Sequence, residues 1–81
     1  MRYMTKGTCS MAIDLELDGE IIKECKFIGG CQGNTKGVAT LVTGMKATDA
    51  IAKLEGIDCG GRGTSCPDQL SKALKQALEQ A

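Results

Sequence analysis

The chain has 81 residues, a length that fits a single domain over residues 1–81 and excludes large catalytic folds such as a barrel or a doubly wound nucleotide-binding sheet. Apolar residues make up 42% and charged residues 25% of the chain, which indicates a globular protein, and a formal net charge of zero argues against nucleic acid as the main partner. The absence of His and Trp, with one Tyr and one Phe, excludes an internal Cys-His or Ser-His catalytic pair and leaves no stacking platform for bases.

The first third of the chain has the alternation of strands. One apolar face of the first long strand is formed by Met11, Ile13, Leu15 and Leu17. Asp18-Gly19 indicates a hairpin turn, after which a return strand runs from about Ile21 to Ile28. On that strand the period of two places Ile21 on the face of Cys25, and Ile22 on the opposite face. With a shorter strand over residues 2–8, we expect a small antiparallel sheet.

The remainder of the chain has helical periodicity. The first helix is predicted to end at Gly44, and its inward stripe is formed by Val38, Leu41, Val42 and Met45, spaced i, i+3, i+4 and i+7. A second, short helix is predicted from Thr48, as its N-cap, to Leu54.

A third helix begins near Pro67, which suits a first helical turn. Ser65 is its candidate cap, and Asp68 complements the helix dipole. Its apolar face consists of Leu70, Ala73, Leu74, Ala77 and Leu78. Together the elements predict an α+β fold in which about three helices pack against a three-stranded antiparallel sheet.

The start of the sequence shows no secretory signal, and no apolar run approaches the ~20 residues of a membrane span. We therefore expect a cytosolic protein, in which structural disulfides are uncommon. The five cysteines are then expected to bind metal, to undergo redox chemistry or simply to be buried.

Four of the cysteines lie beside glycines or at predicted turns, namely Cys9, Cys31, Cys59 and Cys66. Cys31 and Cys66 also lie near predicted helix N-termini, where the dipole favours the thiolate. No C-x2-C pair is present, so the spacing matches neither a zinc ribbon nor a thioredoxin motif. A shared zinc or iron–sulfur site, a redox-active dithiol formed by Cys59 and Cys66, and separate buried thiols all remain open.

Two further features have simpler interpretations. Cys25 is predicted within a strand on an apolar face and is interpreted as a small buried side chain. The segment 60–65, GGRGTS, precedes a helix and could cradle a phosphate with Arg62, but it matches no phosphate-binding motif. We interpret it as a loop around Cys59 and Cys66.

The heptapeptide TSCPDQL at 64–70 resembles the signature of the TSCPD domain family. Further agreement comes from KGTCS at 6–10, FIGGCQGN at 27–34, VTGM at 42–45 and LEGIDCGG at 54–61. The resemblance covers nearly the whole chain and implies that Cys9, Cys31, Cys59 and Cys66 are the family's cysteines.

The same domain type occurs at the C-terminus of adenosylcobalamin-dependent (class II) ribonucleoside-diphosphate reductases. The resemblance therefore implies an accessory role in deoxyribonucleotide synthesis and a class II reductase as partner. The reductase's own radical chemistry does not fit in a chain of this length, so independent catalysis is not expected even though the family name would suggest an oxidoreductase.

The predicted fold is also similar to iron–sulfur scaffold proteins of the NifU type, with Cys31 and Cys66 in the ligand places and Cys9 as a third. The leading hypothesis is a cysteine-rich metal-binding module, with zinc held by Cys9, Cys31, Cys59 and Cys66. The alternatives are a redox-active dithiol partner of the reductase and an iron–sulfur scaffold. A homodimer is compatible with a sheet of this size.

Overall fold

The structure, a computed structural model, describes residues 1–8, 10–30, 32–58, 60–61 and 63–80. Within these residues it contains three strands followed by three helices, so the predicted α+β fold is confirmed. In chain order they are β1 (Arg2–Met4), β2 (Ser10–Asp18), β3 (Ile21–Gly29), α1 (Gln32–Val42), α2 (Ala47–Leu54) and α3 (Cys66–Gln80).

The sheet has the order β1-β2-β3, and both pairs of neighbours are antiparallel. The hairpin between β2 and β3 closes at the pair Asp18 and Ile21, as the Asp-Gly sequence predicts. Gly19 adopts a positive φ of 61° there, a conformation that costs glycine no steric penalty. The sheet thus presents one face to the helices.

Two β-bulges correct the predicted faces of the long strands. Between the pairs Ser10–Gly29 and Ala12–Ile28 the register shifts, and Met11, predicted to be inward, is 65% exposed. An extra residue in a strand shifts the side chains beyond it to the opposite face.

The second bulge lies in β3, where the register passes from the pair Glu16–Glu24 to the pair Leu17–Ile22. Ile22 consequently shares the inner face and is fully buried, whereas Ile21 is 39% exposed. The prediction that Ile21 belongs to the face of Cys25 is therefore wrong.

The helix α1 packs against β3 and ends at Val42. The predicted stripe is partly wrong: Leu41 is 77% exposed, whereas Ala39 and Val42 are buried, and Met45 lies beyond the helix. The segment after α1 is fixed to the start of β3, since the amide of Gly44 donates to the carbonyl of Ile22 at 2.8 Å.

The helix α2 begins one residue before Thr48, so the prediction that Thr48 is its N-cap is wrong. Its N-cap is Lys46, whose side chain makes no capping hydrogen bond. The helix buries Ala47 and Ala50, and the small side chains allow it to pack closely against α3.

The helix α3 packs against β2, the middle strand of the sheet, and against α2, and it contributes most of the helical residues of the core. Its predicted apolar face is confirmed, with Leu70, Ala73 and Leu74 fully buried. These side chains pack with the inner face of the sheet in one cluster that includes Ile13, Leu15, Ile22, Val42, Ala47 and Ala50. The packing fixes the N-terminus of α3, and with it Cys66, at one end of the sheet.

Candidate functional site

The candidate site is the end of the molecule at which α3 begins. Of the four cysteines predicted to share a site, the structure describes Cys66, while Cys9, Cys31 and Cys59 lie outside the described residues. The described part of the site therefore consists of Cys66 and of the residues that adjoin the other three cysteines in the sequence.

Cys66 is the first residue of α3, and the predicted cap precedes it. The amide of Asp68 donates to Oγ of Ser65 at 3.1 Å, and the amide of Gln69 donates to the carbonyl of Ser65 at 2.8 Å. This is the pattern of an N-cap residue. The partly buried Cys66 thus lies in the first turn, where the helix dipole favours negative charge.

The start of β2 is in direct contact with this thiol. The Sγ atom of Cys66 lies 3.3 Å from Oγ of Ser10, which is the residue after Cys9 in the sequence. Ser10 is buried, and its Oγ lies 3.0 Å from Oγ1 of Thr8. The loop between β1 and β2 therefore reaches the helix N-terminus through a chain of hydroxyl groups.

The end of β3 adjoins the same place. Gly29, the last residue of β3, is paired with Ser10. Gly29 and Gly30 have positive φ values of 77° and 82°. A residue with a side chain would be strained in this backbone conformation, whereas glycine adopts it freely. Cys31 follows Gly30 in the sequence, and α1 begins at the next residue.

The loop between α2 and α3 is fixed to the start of α3 by Ser65. The hydroxyl of Ser65 donates to the carbonyl of Ile57 at 2.6 Å. The next residue, Asp58, accepts the amides of Gly61 at 2.8 Å and Gly63 at 2.5 Å. Cys59 follows Asp58 in the sequence.

These hydrogen bonds bear on the phosphate interpretation of segment 60–65. The amides of Gly61 and Gly63 donate to Asp58, and a carboxylate on these donors opposes the binding of a second anion. Arg62, the predicted phosphate ligand, lies outside the described residues. The arrangement favours a loop that is closed on itself.

Asp68 is the main polar anchor of this end of the molecule. Its carboxylate accepts hydrogen bonds from the amide of Gly56 at 2.8 Å, the hydroxyl of Thr64 at 2.5 Å and the ammonium of Lys72 at 2.6 Å. Burial alone would raise its pKa, but the hydrogen bonds from Lys72, Thr64 and Gly56 outweigh this and lower the pKa to about 2. Asp68 therefore stays ionised and ties the loop to the helix.

Gln69 joins the two loops to each other. Its Oε1 accepts the amide of Lys6 at 3.1 Å, and its Nε2 donates to Oγ1 of Thr64 at 3.0 Å. The two loops approach each other closely at Gly7. A Cβ atom placed on Gly7 would lie only 3.0 Å from Cγ2 of Thr64. No local pattern in the sequence predicts these roles of Gln69 and Gly7.

Cys25 lines an open cavity of about 550 Å³ between β3 and α1, and Gly29 at the end of β3 lines the same cavity. Cys25 is half-buried, packs against the core and forms no disulfide. Burial raises the pKa of its thiol to about 11, so the thiolate is disfavoured. This agrees with its interpretation as a packing residue.

The described part of the chain lacks two features. No group of three or more Cys, Asp or Glu side chains in these residues is placed to hold a metal ion. No described helix combines the length and the apolar composition that crossing a bilayer requires.

Comparison with known proteins gives one match. The family model described as "TSCPD domain" matches residues 1–78. Searches of the curated proteins and of the solved structures returned no significant match.

Proposed function

The chain belongs to the TSCPD domain family, and from this premise we propose that it is a small cysteine-rich module that binds a thiophilic metal ion, zinc in the first place. The proposed ligands are Cys9, Cys31, Cys59 and Cys66. A zinc ion with four thiolate ligands forms a closed, tetrahedral site that contributes to folding.

The observation that carries the proposal is the convergence of chain neighbours on Cys66. Ser10, which follows Cys9 in the sequence, contacts the sulfur of Cys66 directly. Ser10 is also paired with Gly29, two residues before Cys31. The residues that adjoin two of the other proposed ligands in the sequence are therefore brought together at Cys66.

The fourth proposed ligand is linked to the same end through the loop before α3. Ser65, which precedes Cys66, binds the carbonyl of Ile57, two residues before Cys59. The Asp68 carboxylate binds the amide of Gly56 in the same loop. Hydrogen bonds at both ends of the loop therefore support its closure near the helix N-terminus.

The chemistry of the donor set suits a soft metal ion. The chain contains no His, so thiolates are its natural ligands for zinc or for an iron–sulfur cluster. Four thiolates around a divalent ion leave excess negative charge, which needs nearby positive dipoles. Both α3 and α1 begin at or directly after a proposed ligand, so the positive end of a helix dipole lies beside that ligand in the sequence.

The biological role that we propose is accessory to ribonucleotide reduction in the cytosol, with a class II ribonucleoside-diphosphate reductase as the partner. The support is the resemblance of this chain to the C-terminal domain of those enzymes. Direct titration with a purified class II reductase, with and without its own C-terminal domain, tests this part. If neither form binds, the proposal that the reductase is the partner is contradicted, and the metal proposal is unaffected.

Elemental analysis of protein purified without chelator tests the metal proposal. We expect about one equivalent of zinc in the wild-type chain, and loss of most of it when Cys9, Cys31, Cys59 or Cys66 is replaced by Ser. Cys25→Ser is the matched control, since Cys25 packs against the core and burial disfavours its thiolate form. Less than half an equivalent of any metal in the wild-type chain, or equal loss in the control, contradicts the proposal.

The same sample separates the two alternative functions. A brown protein after anaerobic reconstitution with iron and sulfide, together with a zinc-free native protein, supports an iron–sulfur scaffold instead. A Cys59–Cys66 disulfide that forms reversibly under mild oxidant and is detected by mass spectrometry in metal-free native protein supports the redox dithiol. Either outcome replaces the zinc module.

A further inference from the structure

We infer that Ser10, supported by Thr8, is a positioning residue that donates a hydrogen bond to the sulfur of Cys66 when that sulfur binds a metal ion as a thiolate. The inference rests on the proposed function, because it assigns a role to a residue that touches a proposed ligand. It adds a polar group outside the cysteine set to the site.

In the structure the thiol of Cys66 donates a hydrogen bond to the hydroxyl oxygen of Ser10. The Sγ atom of Cys66 and Oγ of Ser10 are 3.3 Å apart, although the two residues are separated by 56 positions in the sequence. Ser10 is only 4% exposed, so water has little access to its hydroxyl. A buried hydroxyl needs a partner within the protein, and the sulfur provides one.

The backbone of Ser10 holds the hydroxyl in place. Ser10 is the first residue of β2 and is paired with Gly29. Its carbonyl accepts the hydroxyl of Thr5 at 2.5 Å. Because the strand pairing and this hydrogen bond both fix the residue, its side chain is already oriented toward α3 before any metal binds.

The direction of the hydrogen bond follows from the protonation of the sulfur. A thiol can donate to Ser10, but a metal-bound thiolate has no proton and only accepts. Ser10 must then donate, and its oxygen can accept a hydrogen bond from the hydroxyl of Thr8, whose Oγ1 is 3.0 Å away. The pair of hydroxyls thus satisfies both states of the sulfur by rotation of two O–H bonds.

Such a hydrogen bond stabilises the thiolate in the bound state and fixes its orientation. Loss of a polar partner that orients a metal ligand typically lowers metal affinity by about 10–100-fold. The effect differs from a loss of folding stability, since it acts on the charge distribution of one sulfur. It therefore also changes the electronic spectrum of a metal–thiolate bond.

The test measures zinc affinity by competition with a chelator, and cobalt(II)–thiolate charge-transfer bands, for the full chain. We expect Ser10→Ala to bind one equivalent of zinc with about 10–100-fold lower affinity, and to shift the charge-transfer band to lower energy. Ser10→Thr keeps the hydroxyl and should restore the band. Thr8→Val should lower the affinity less, by several-fold.

Ser71→Ala is the matched control, because Ser71 is also a buried serine, and its hydroxyl donates within α3 to the carbonyl of Asp68 at 2.6 Å. It should lose stability but keep the zinc affinity within about twofold of wild type and the band unshifted. Wild-type affinity in Ser10→Ala, or in Thr8→Val should Ser10→Ala not fold, overturns this inference alone. A wild-type chain that binds no metal overturns the proposed function as well.

Discussion

Asp68 combines low solvent exposure with a negative charge, a combination that is costly unless the charge is well paired. Here it accepts one backbone amide, one hydroxyl and one ammonium group. The three donors come from the loop before α3 and from the next turn of the helix. Asp68 therefore has two roles: it favours the start of α3 through the helix dipole, and it connects the preceding loop to that helix.

Asp68→Asn is expected to lower the free energy of unfolding by about 2 kcal/mol at pH 7. The carboxylate has a pKa of about 2 in the folded chain and an ordinary value of 3.8. A depressed pKa contributes stability that is present above the unfolded value and lost as the pH falls through the folded one. The difference between wild type and Asp68→Asn should therefore shrink between about pH 4 and pH 2.

Urea unfolding at a series of pH values, with chelator present to remove metal, measures this difference. Glu79→Gln, an exposed carboxylate near the other end of α3, serves as control and should change stability by less than about 0.5 kcal/mol. A difference between wild type and Asp68→Asn that stays constant down to pH 2 would contradict the assignment.

At this scale the sequence predicts some roles and not others. The capping role of Ser65 follows from local signals, because the cap and its amide are three residues apart. The partners of Asp68 in the loop, and the contact of Gln69 with Lys6 across 63 positions, depend on tertiary packing. No periodicity within a single element carries that information.

Among the elements, the β-bulges decide which side chains enter the core. Strict alternation predicts which face each side chain occupies only where every residue of a strand pairs with one residue of the neighbouring strand. At a bulge, two residues of one strand lie opposite one residue of the other, and the alternation is broken. The extra residue in β3 transfers Ile22 to the inner face and Ile21 to the outside. The amino acids at 21 and 22 are identical, so hydropathy alone could not distinguish them.

Ile22→Ala and Ile21→Ala form a matched pair that tests this register. We expect Ile22→Ala to cost about 2–5 kcal/mol of unfolding free energy, because it removes a fully buried side chain. Ile21→Ala should cost less than about 1 kcal/mol. Chemical denaturation measures both, and equal losses would show that the bulge is not present.

The helix α1 shows a second limit of pattern reading. Its sequence contains two overlapping stripes at helical spacing, one with Leu41 and one with Thr35 and Ala39. Hydropathy favours the stripe with Leu41, but among the side chains of α1 that the structure describes the buried ones are Thr35, Ala39 and Val42. Small side chains on the inner face permit close packing on β3. A rule based on hydrophobicity alone ranks a stripe with Thr35 and Ala39 below one with Leu41.

For the whole molecule, the core is built mainly from small and aliphatic side chains, and a domain of this size is marginal on hydrophobic burial alone. The sequence predicts the α+β architecture and distinguishes four cysteines by their turn context. The sequence could not predict the contacts between those turns. Ser10 and Cys66, for example, come into contact only because the sheet and α3 pack together.

Under the proposed function, zinc should stabilise the folded chain measurably. A ligand at 100 times its Kd that binds only the folded state adds about 2.7 kcal/mol, which corresponds to roughly 10–20 °C in Tm for a domain of this size. Thermal unfolding with and without chelator should show this increase for wild type and Cys25→Ser. Cys66→Ser should not respond to zinc, and an equal response would contradict the ligand assignment.

The contact between Ser10 and Cys66 has a consequence for the polymer statistics of the chain. Any covalent or coordinate cross-link between the first turn of α3 and the start of β2 would enclose most of the polypeptide in one ring, since 56 positions separate the two residues. Ring closure of that size removes conformational entropy from the denatured ensemble worth about 4 kcal/mol at 25 °C. Much of the benefit of such a tether would thus come from restricting the disordered chain.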